Sequence, residues 1–77
     1  MVQFGIVEIE GTIIEHVSNR KYLVRIDYGE LKNQSIEVLQ GAASYYDGIL
    51  FYKGDKVIID YRRSAPEKSV ITYRIKK

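Results

Sequence analysis

Hydrophobic and polar positions along this chain alternate with the period of a β-strand, in five separate runs. The first, Ile6 to Val17, is long for a strand and has Gly11 at its middle. A glycine inside a strand marks a bulge or a sharp bend, as the wall of a small barrel requires. Ser18, Asn19 and Arg20 form a turn. In the next run, Lys21 to Tyr28, Tyr22, Val24 and Ile26 alternate with Leu23, Arg25 and Asp27, which predicts one buried face. Gly29 ends it. A shorter run, Gln34 to Leu39, puts Ile36 and Val38 on one face and Glu37 on the other. Gly54 and Asp55 turn into Lys56 to Arg63, where Val57, Ile59 and Tyr61 oppose Lys56, Ile58, Asp60 and Arg62. Ser64 to Ser69, with the only proline at 66, is a loop. The last run is Val70 to Ile75, with Ile71, Tyr73 and Ile75 sharing a face.

No stretch sustains the apolar spacing of a long helix. Residues 41–48, GAASYYDG, interrupt the strand pattern and hold one helical turn or a loop. Five strands with one irregular insert predict an all-β fold. The expectation is a five-stranded OB-type barrel filling residues 1–77 as one domain, with a short helix or loop between strands 3 and 4. An SH3-like barrel is the nearest alternative.

Composition narrows the function classes. The chain has 77 residues and no cysteine, which excludes a disulfide framework and a cysteine-ligated metal. A single histidine, His16, argues against a protein-only zinc site. No apolar run approaches the roughly 20 residues of a membrane span, and the start, MVQFGIVEIEG, lacks the cationic opening of a signal peptide. The expectation is a cytoplasmic monomer with no cofactor, no metal, no membrane contact and no small-molecule substrate.

No catalytic constellation stands out. Glu8 and Glu10 are two apart on a strand, which places both on one face as solvated charge. His16, near a strand end, fits an exposed turn neighbour better than a general base. A phosphate-binding glycine loop with a lysine is absent. The expectation is a non-enzyme.

Tyrosine and basic residues remain. Seven tyrosines accompany only two phenylalanines and no tryptophan. Tyrosine faces stack on unpaired bases, and arginine pairs with phosphate or stacks as well. Alternation assigns Tyr22, Tyr61 and Tyr73 to the barrel interior. Tyr28 remains a stacking candidate. Tyr45, Tyr46 and Tyr52 lie in the irregular segment and are freer to bind. Residues 1–40 carry four basic and six acidic side chains, whereas 41–77 carry eight and four. Within 61–77, Arg62, Arg63, Lys68, Arg74, Lys76 and Lys77 face only Glu67. Such a basic third points to a polyanion partner, the alternative being solubilising surface charge. Arg62 and Arg63 are adjacent on one strand, so their side chains point to opposite faces unless the strand ends there, and Arg62 is the outward one.

The segments VEIEGTIIE, NRKYLVRIDYG, GDKVIIDY and VITYRIKK resemble, in this order, the bacterial translation initiation factor one family. That resemblance covers residues 8–29 and 54–77. It implies an S1-type OB barrel that binds ribosomal RNA in the small ribosomal subunit. It also implies that Arg74 matches the family's C-terminal arginine and Tyr22 its core aromatic, and that Arg25 stands where the family often carries charge. The expected RNA-binding set is therefore Arg25, Tyr45, Tyr46, Arg62, Arg63, Lys68, Arg74, Lys76 and Lys77. The middle departs from the pattern: residues 41–48 hold no basic residue where the family has a short basic helix. A fainter resemblance, in YGELKNQSIEV and YDGILFYKGDKVII, is to the small β-barrel segment of YibE/F-type proteins. It implies the other function class, a protein-interaction barrel with no RNA role.

Overall fold

A computed structural model describes residues 5–75. Its elements are β1 (Ile6–Ser18), β2 (Lys21–Tyr28), β3 (Ser35–Gln40), a short helix α1 (Ala42–Tyr46), β4 (Lys56–Arg62) and β5 (Val70–Arg74). A single 3-10 turn, Pro66–Lys68, precedes β5. Each expected strand is present, with bounds shifted by one residue at most at either end, and the insert is the short helix.

The strands close into a barrel in the order β1-β2-β3-β5-β4. All pairs are antiparallel except β3 with β5, where Leu39 faces Val70 and Gln40 faces Ile71. That parallel pair closes the ring and gives the OB topology. β1 is long because it serves two neighbours. Glu10 to Ser18 pair with β2, and Ile6 to Thr12 pair with β4. Gly11 sits in the overlap, beside a register shift between Glu10 and Gly11. A Cβ there would collide with Val24 and lie 2.9 Å from the Arg25 carbonyl oxygen. Gly11 is thus the bend that lets one strand wrap the barrel.

The core is Ile9, Ile13, Tyr22, Val24, Ile26, Val38, Phe51, Val57, Ile59, Tyr61 and Ile71. Tyr22, Val24, Ile26, Val38, Val57, Ile59, Tyr61 and Ile71 are positions that alternation groups on one face of β2 to β5; Ile9 and Ile13 of β1 and Phe51 from the segment after α1 join them. Burial of this apolar set is the main favourable term of the fold.

Tyr73 departs from its expected place. It is 56% exposed, outside the barrel. The cause is a slip in the β4/β5 register: Ile59 faces Ile71, but Ile58 faces Tyr73, so Thr72 is the extra residue of a bulge. One inserted residue reverses the alternation that follows. Tyr73 turns outward, and Arg74, opposite the buried Val57, turns toward the core side. The Thr72 hydroxyl donates to the Ile58 carbonyl at 3.1 Å and holds the bulge.

Candidate nucleic-acid interface

The β1/β2 turn and α1 are joined through one arginine. Asn19 and Arg20 are the turn residues, and the His16 imidazole stacks on Tyr22 with ring centres 4.4 Å apart. The His16 Nε2 lies 3.0 Å from the Asn19 carbonyl oxygen, to which it donates. Arg20 then reaches the end of β3, where its Nε and Nη2 donate to the Gln40 carbonyl at 3.2 and 2.9 Å. Its guanidinium lies 5.9 Å from the Tyr45 ring centre, a cation–π contact. Tyr46 meets Tyr45 edge to face at 5.5 Å.

Gln40 fixes the helix from beneath. It is fully buried, and its Nε2 donates to Ser44 Oγ at 3.1 Å and to the Ile49 carbonyl at 2.6 Å. The helix itself contributes no buried residue. Its tyrosine pair therefore projects from a short element pinned by a buried amide and an arginine. Tyr46, 82% exposed, offers most of its ring to solvent. Arg20 and Gln40 are functional candidates that strand periodicity missed. Arg20 was legible only as a turn residue, and its role depends on a contact across twenty positions.

The expected basic residues divide into three groups. Arg62 and Lys68 are exposed, Arg62 at the end of β4 and Lys68 in the 3-10 turn. Arg25 and Arg63 are exposed but paired. Arg63 forks onto Glu30, with Nη2 to Oε1 at 2.6 Å, and Arg25 lies 3.3 Å from Asp27. Because β4 stops at Arg62, both Arg62 and Arg63 face solvent. Arg74 is engaged within the fold. Its Nη2 donates to the Leu50 carbonyl at 2.5 Å, its Nε lies 3.4 Å from Asp55, and its guanidinium covers Phe51 at 5.3 Å. Lys76 and Lys77 lie outside the described residues. Tyr28 and Tyr52 are exposed, at 69% and 63%.

The charged network on the outer face of β2, β1 and β4 gathers two cations, Arg25 and Lys56, around the Asp27 carboxylate. Asp27 accepts a hydrogen bond from the Thr12 hydroxyl, and Lys56 Nζ donates to Thr12 Oγ1 at 2.8 Å and to Asp27 at 3.3 Å. Burial pushes the Asp27 carboxyl up, but hydrogen bonds from Thr12, Arg25 and Lys56 outweigh it and hold the group below the ordinary aspartate value. The Arg63 fork likewise holds Glu30 low and raises Arg63 in return. Further along the same barrel face, Glu8 stands opposite Asp60, with Glu10 two residues on. Two carboxylates facing each other across a strand pair repel a polyanion, so the stretch of this face around Glu8, Glu10 and Asp60 does not suit nucleic acid. The α1 end and the 3-10 turn carry the cations and aromatic faces. Among the described residues no group of three metal-ligating side chains forms, and no helix is long and apolar enough to cross a membrane.

No protein-family model matches the sequence, and no curated protein matches it. Solved structures do match, fourteen chains in all. One is the crystal structure of YjeQ from Thermotoga maritima, 17% identical, with a TM-score of 0.68. The match covers 92% of this chain but 23% of YjeQ, so the chain spans under a quarter of that protein. Another is the solution structure of translation initiation factor one from the Wolbachia endosymbiont strain TRS of Brugia malayi. It is 19% identical, with a TM-score of 0.68, and the match covers 95% of this chain and 82% of that one. At such identities the likeness shows the fold: this chain is built as an OB barrel similar to that of the initiation factor.

Proposed function

We propose that this chain is an RNA-binding, non-catalytic translation factor that acts on ribosomal RNA in the small ribosomal subunit, as a cytoplasmic monomer. The observation that carries the reading is the extent of the likeness to the Wolbachia initiation factor, which runs over 95% of this chain and 82% of that one. The likeness extends over nearly the whole chain, rather than one local motif. The Arg20–Tyr45–Tyr46 arrangement supplies the chemistry, with two aromatic faces for unpaired bases and a cation beside them.

Lys68 and Arg62 reach phosphate directly from the loop between β4 and β5. Lys76 and Lys77 extend the same basic segment in sequence. Arg25 and Arg63 exchange their surface carboxylates for phosphate at small cost, because exposed ion pairs are worth about 0–1 kcal/mol. Arg74 acts indirectly by holding the Leu50 carbonyl and Asp55, which shape the segment after α1. Stacking by Tyr45 and Tyr46 takes the place of the positive charge that residues 41–48 lack.

Co-sedimentation of the chain with purified small ribosomal subunits tests this. The chain should pellet with the subunits at low salt and be released as salt rises. Failure to pellet at low salt would overturn the ribosomal assignment.

A further inference from the structure

β3 has a neighbour along the whole of one side and along only part of the other. It pairs with β2 from Ser35 to Leu39, but with β5 only at Leu39 and Gln40. Two bonds fix which way its backbone groups point. The Gln40 N–H donates to the Arg20 carbonyl, and the Ile26 N–H donates to the Gln34 carbonyl. Bonded positions of an antiparallel ladder recur at every second residue. Gln34, Ile36, Val38 and Gln40 therefore turn toward β2, and Ser35, Glu37 and Leu39 turn away from it. The Leu39 N–H agrees, since it donates to the Ser69 carbonyl at 2.9 Å. Among the described residues no strand lies beside the N–H and C=O of Ser35 and Glu37, and both residues are exposed. The barrel is closed at the end of β3 and open at its start.

The chemistry of this edge sets what fits it. A donor and an acceptor stand at Ser35 and again at Glu37, roughly 7 Å further along the strand. The backbone of another extended chain matches that repeat. Beside the edge runs a groove of about 350 Å³, where Ile36, Leu39 and Pro66 lie among Lys21, Glu37 and Glu67. Lys21 Nζ is 3.7 Å from the Glu37 carboxylate, and Glu67 makes no ion pair among the described residues. Two carboxylates thus face one ammonium. A phosphate chain meets them as like charge. So does a second copy of this edge, which brings Glu37 and Glu67 against their own counterparts. A basic strand meets opposite charge, and an apolar residue between its cations leaves water against Leu39 and Pro66.

We propose that the open edge of β3 takes an extended, basic segment of a partner protein as an added strand. The side chains of Arg20 and Tyr46 have no part in this edge, so protein and RNA binding can be measured separately and can fail independently.

The test is amide NMR on the isotope-labelled full chain. In the free chain, the Ser35 and Glu37 amides should exchange with solvent faster than those of Ile36 and Val38. The probe is acetyl-Lys-Val-Lys-Val-Lys-amide, which should shift the Ser35 and Glu37 amides and slow their exchange. The same peptide N-methylated at every residue keeps its charges and side chains but has no backbone N–H, and should bind at least about tenfold more weakly. Glu37→Pro removes one edge N–H and leaves the ladder to β2, which runs through Ile36 and Val38, so it should abolish binding in a folded chain. Glu37→Gln keeps the edge and removes one charge, and should weaken binding only a few-fold. Oligouridylate should leave both edge amides unmoved. Slow exchange at Ser35 and Glu37 in the free chain would overturn the proposal, because the edge would already be covered. So would equal binding of the N-methylated peptide, which needs no variant to fold, or undiminished binding to a folded Glu37→Pro. Edge shifts caused by oligouridylate would assign the edge to RNA, and edge shifts that grow with chain concentration alone would assign it to a second copy; either result overturns the proposal.

Discussion

The phenol oxygen of Tyr22 accepts the backbone N–H of Phe51 at 3.3 Å, across twenty-nine positions of sequence. Tyr22 is wholly buried, and Phe51 meets its ring edge-on at 5.4 Å. This contact ties the segment after α1 to β2 and so sets the height of the helix over the barrel. His16 covers the Tyr22 ring and Arg74 covers Phe51. Four side chains from β1, β2, the α1 segment and β5 therefore form one continuous stack.

Tyr22→Phe keeps the ring and removes the acceptor. The Phe51 N–H is then buried without a partner, which should cost about 1–3 kcal/mol. Equilibrium denaturation in urea measures this. An unchanged midpoint would mean that water or another carbonyl takes the bond, and the anchoring role would be lost.

Gly11→Val tests the bend in β1. Its side chain would strike Val24 and crowd the Arg25 carbonyl. The expected loss is at least about 2 kcal/mol, well above a surface substitution. Thermal unfolding at wild-type temperature would contradict the close approach of β1 and β2.

Tyr61 and Tyr73 should separate sharply. Tyr61 is 9% exposed within the core, so Tyr61→Ala should cost about 3–5 kcal/mol through lost burial and a cavity. Tyr73→Ala, on the outer face, should cost below about 1 kcal/mol. Comparable losses for the two in urea denaturation would contradict the Thr72 bulge.

Sequence periodicity makes most of this fold legible, and the two misplaced residues of β5 share one cause. VITYRI alternates without interruption and contains no glycine, so nothing local announces an extra residue at Thr72. The bulge arises because β5 must match β3 in parallel register on one side and β4 in antiparallel register on the other. Such a two-sided constraint is non-local, and it exchanges the roles of Tyr73 and Arg74. The exposed tyrosines of the insert were legible from the broken alternation of residues 41–48. Arg20 was not, since its cation–π contact and its bonds to Gln40 form only when the β1/β2 turn meets the end of β3.

Acid should loosen the outer β2–β1–β4 network. The Asp27 carboxyl titrates lower in the folded chain than in the unfolded one. Its contribution is therefore fully present above the unfolded value, about pH 4, and is lost as pH falls through the folded value. Asp27→Asn should be less stable than wild type at pH 7 and should lose less stability on acidification from about pH 5 to pH 3. Parallel pH profiles for the two proteins would show that Asp27 carries none of the acid sensitivity.

RNA binding through the Arg20–Tyr45–Tyr46 end is tested most directly by fluorescence anisotropy with a labelled single-stranded RNA across a salt series. About four phosphate contacts give a slope of roughly −3 in log affinity against log salt. Tyr46→Ala should weaken binding by about 1–3 kcal/mol at every salt concentration and leave that slope unchanged, because it removes stacking and no charge. Binding that is absent at low salt, flat in salt, or indifferent to Tyr46→Ala would contradict an RNA interface built on this helix.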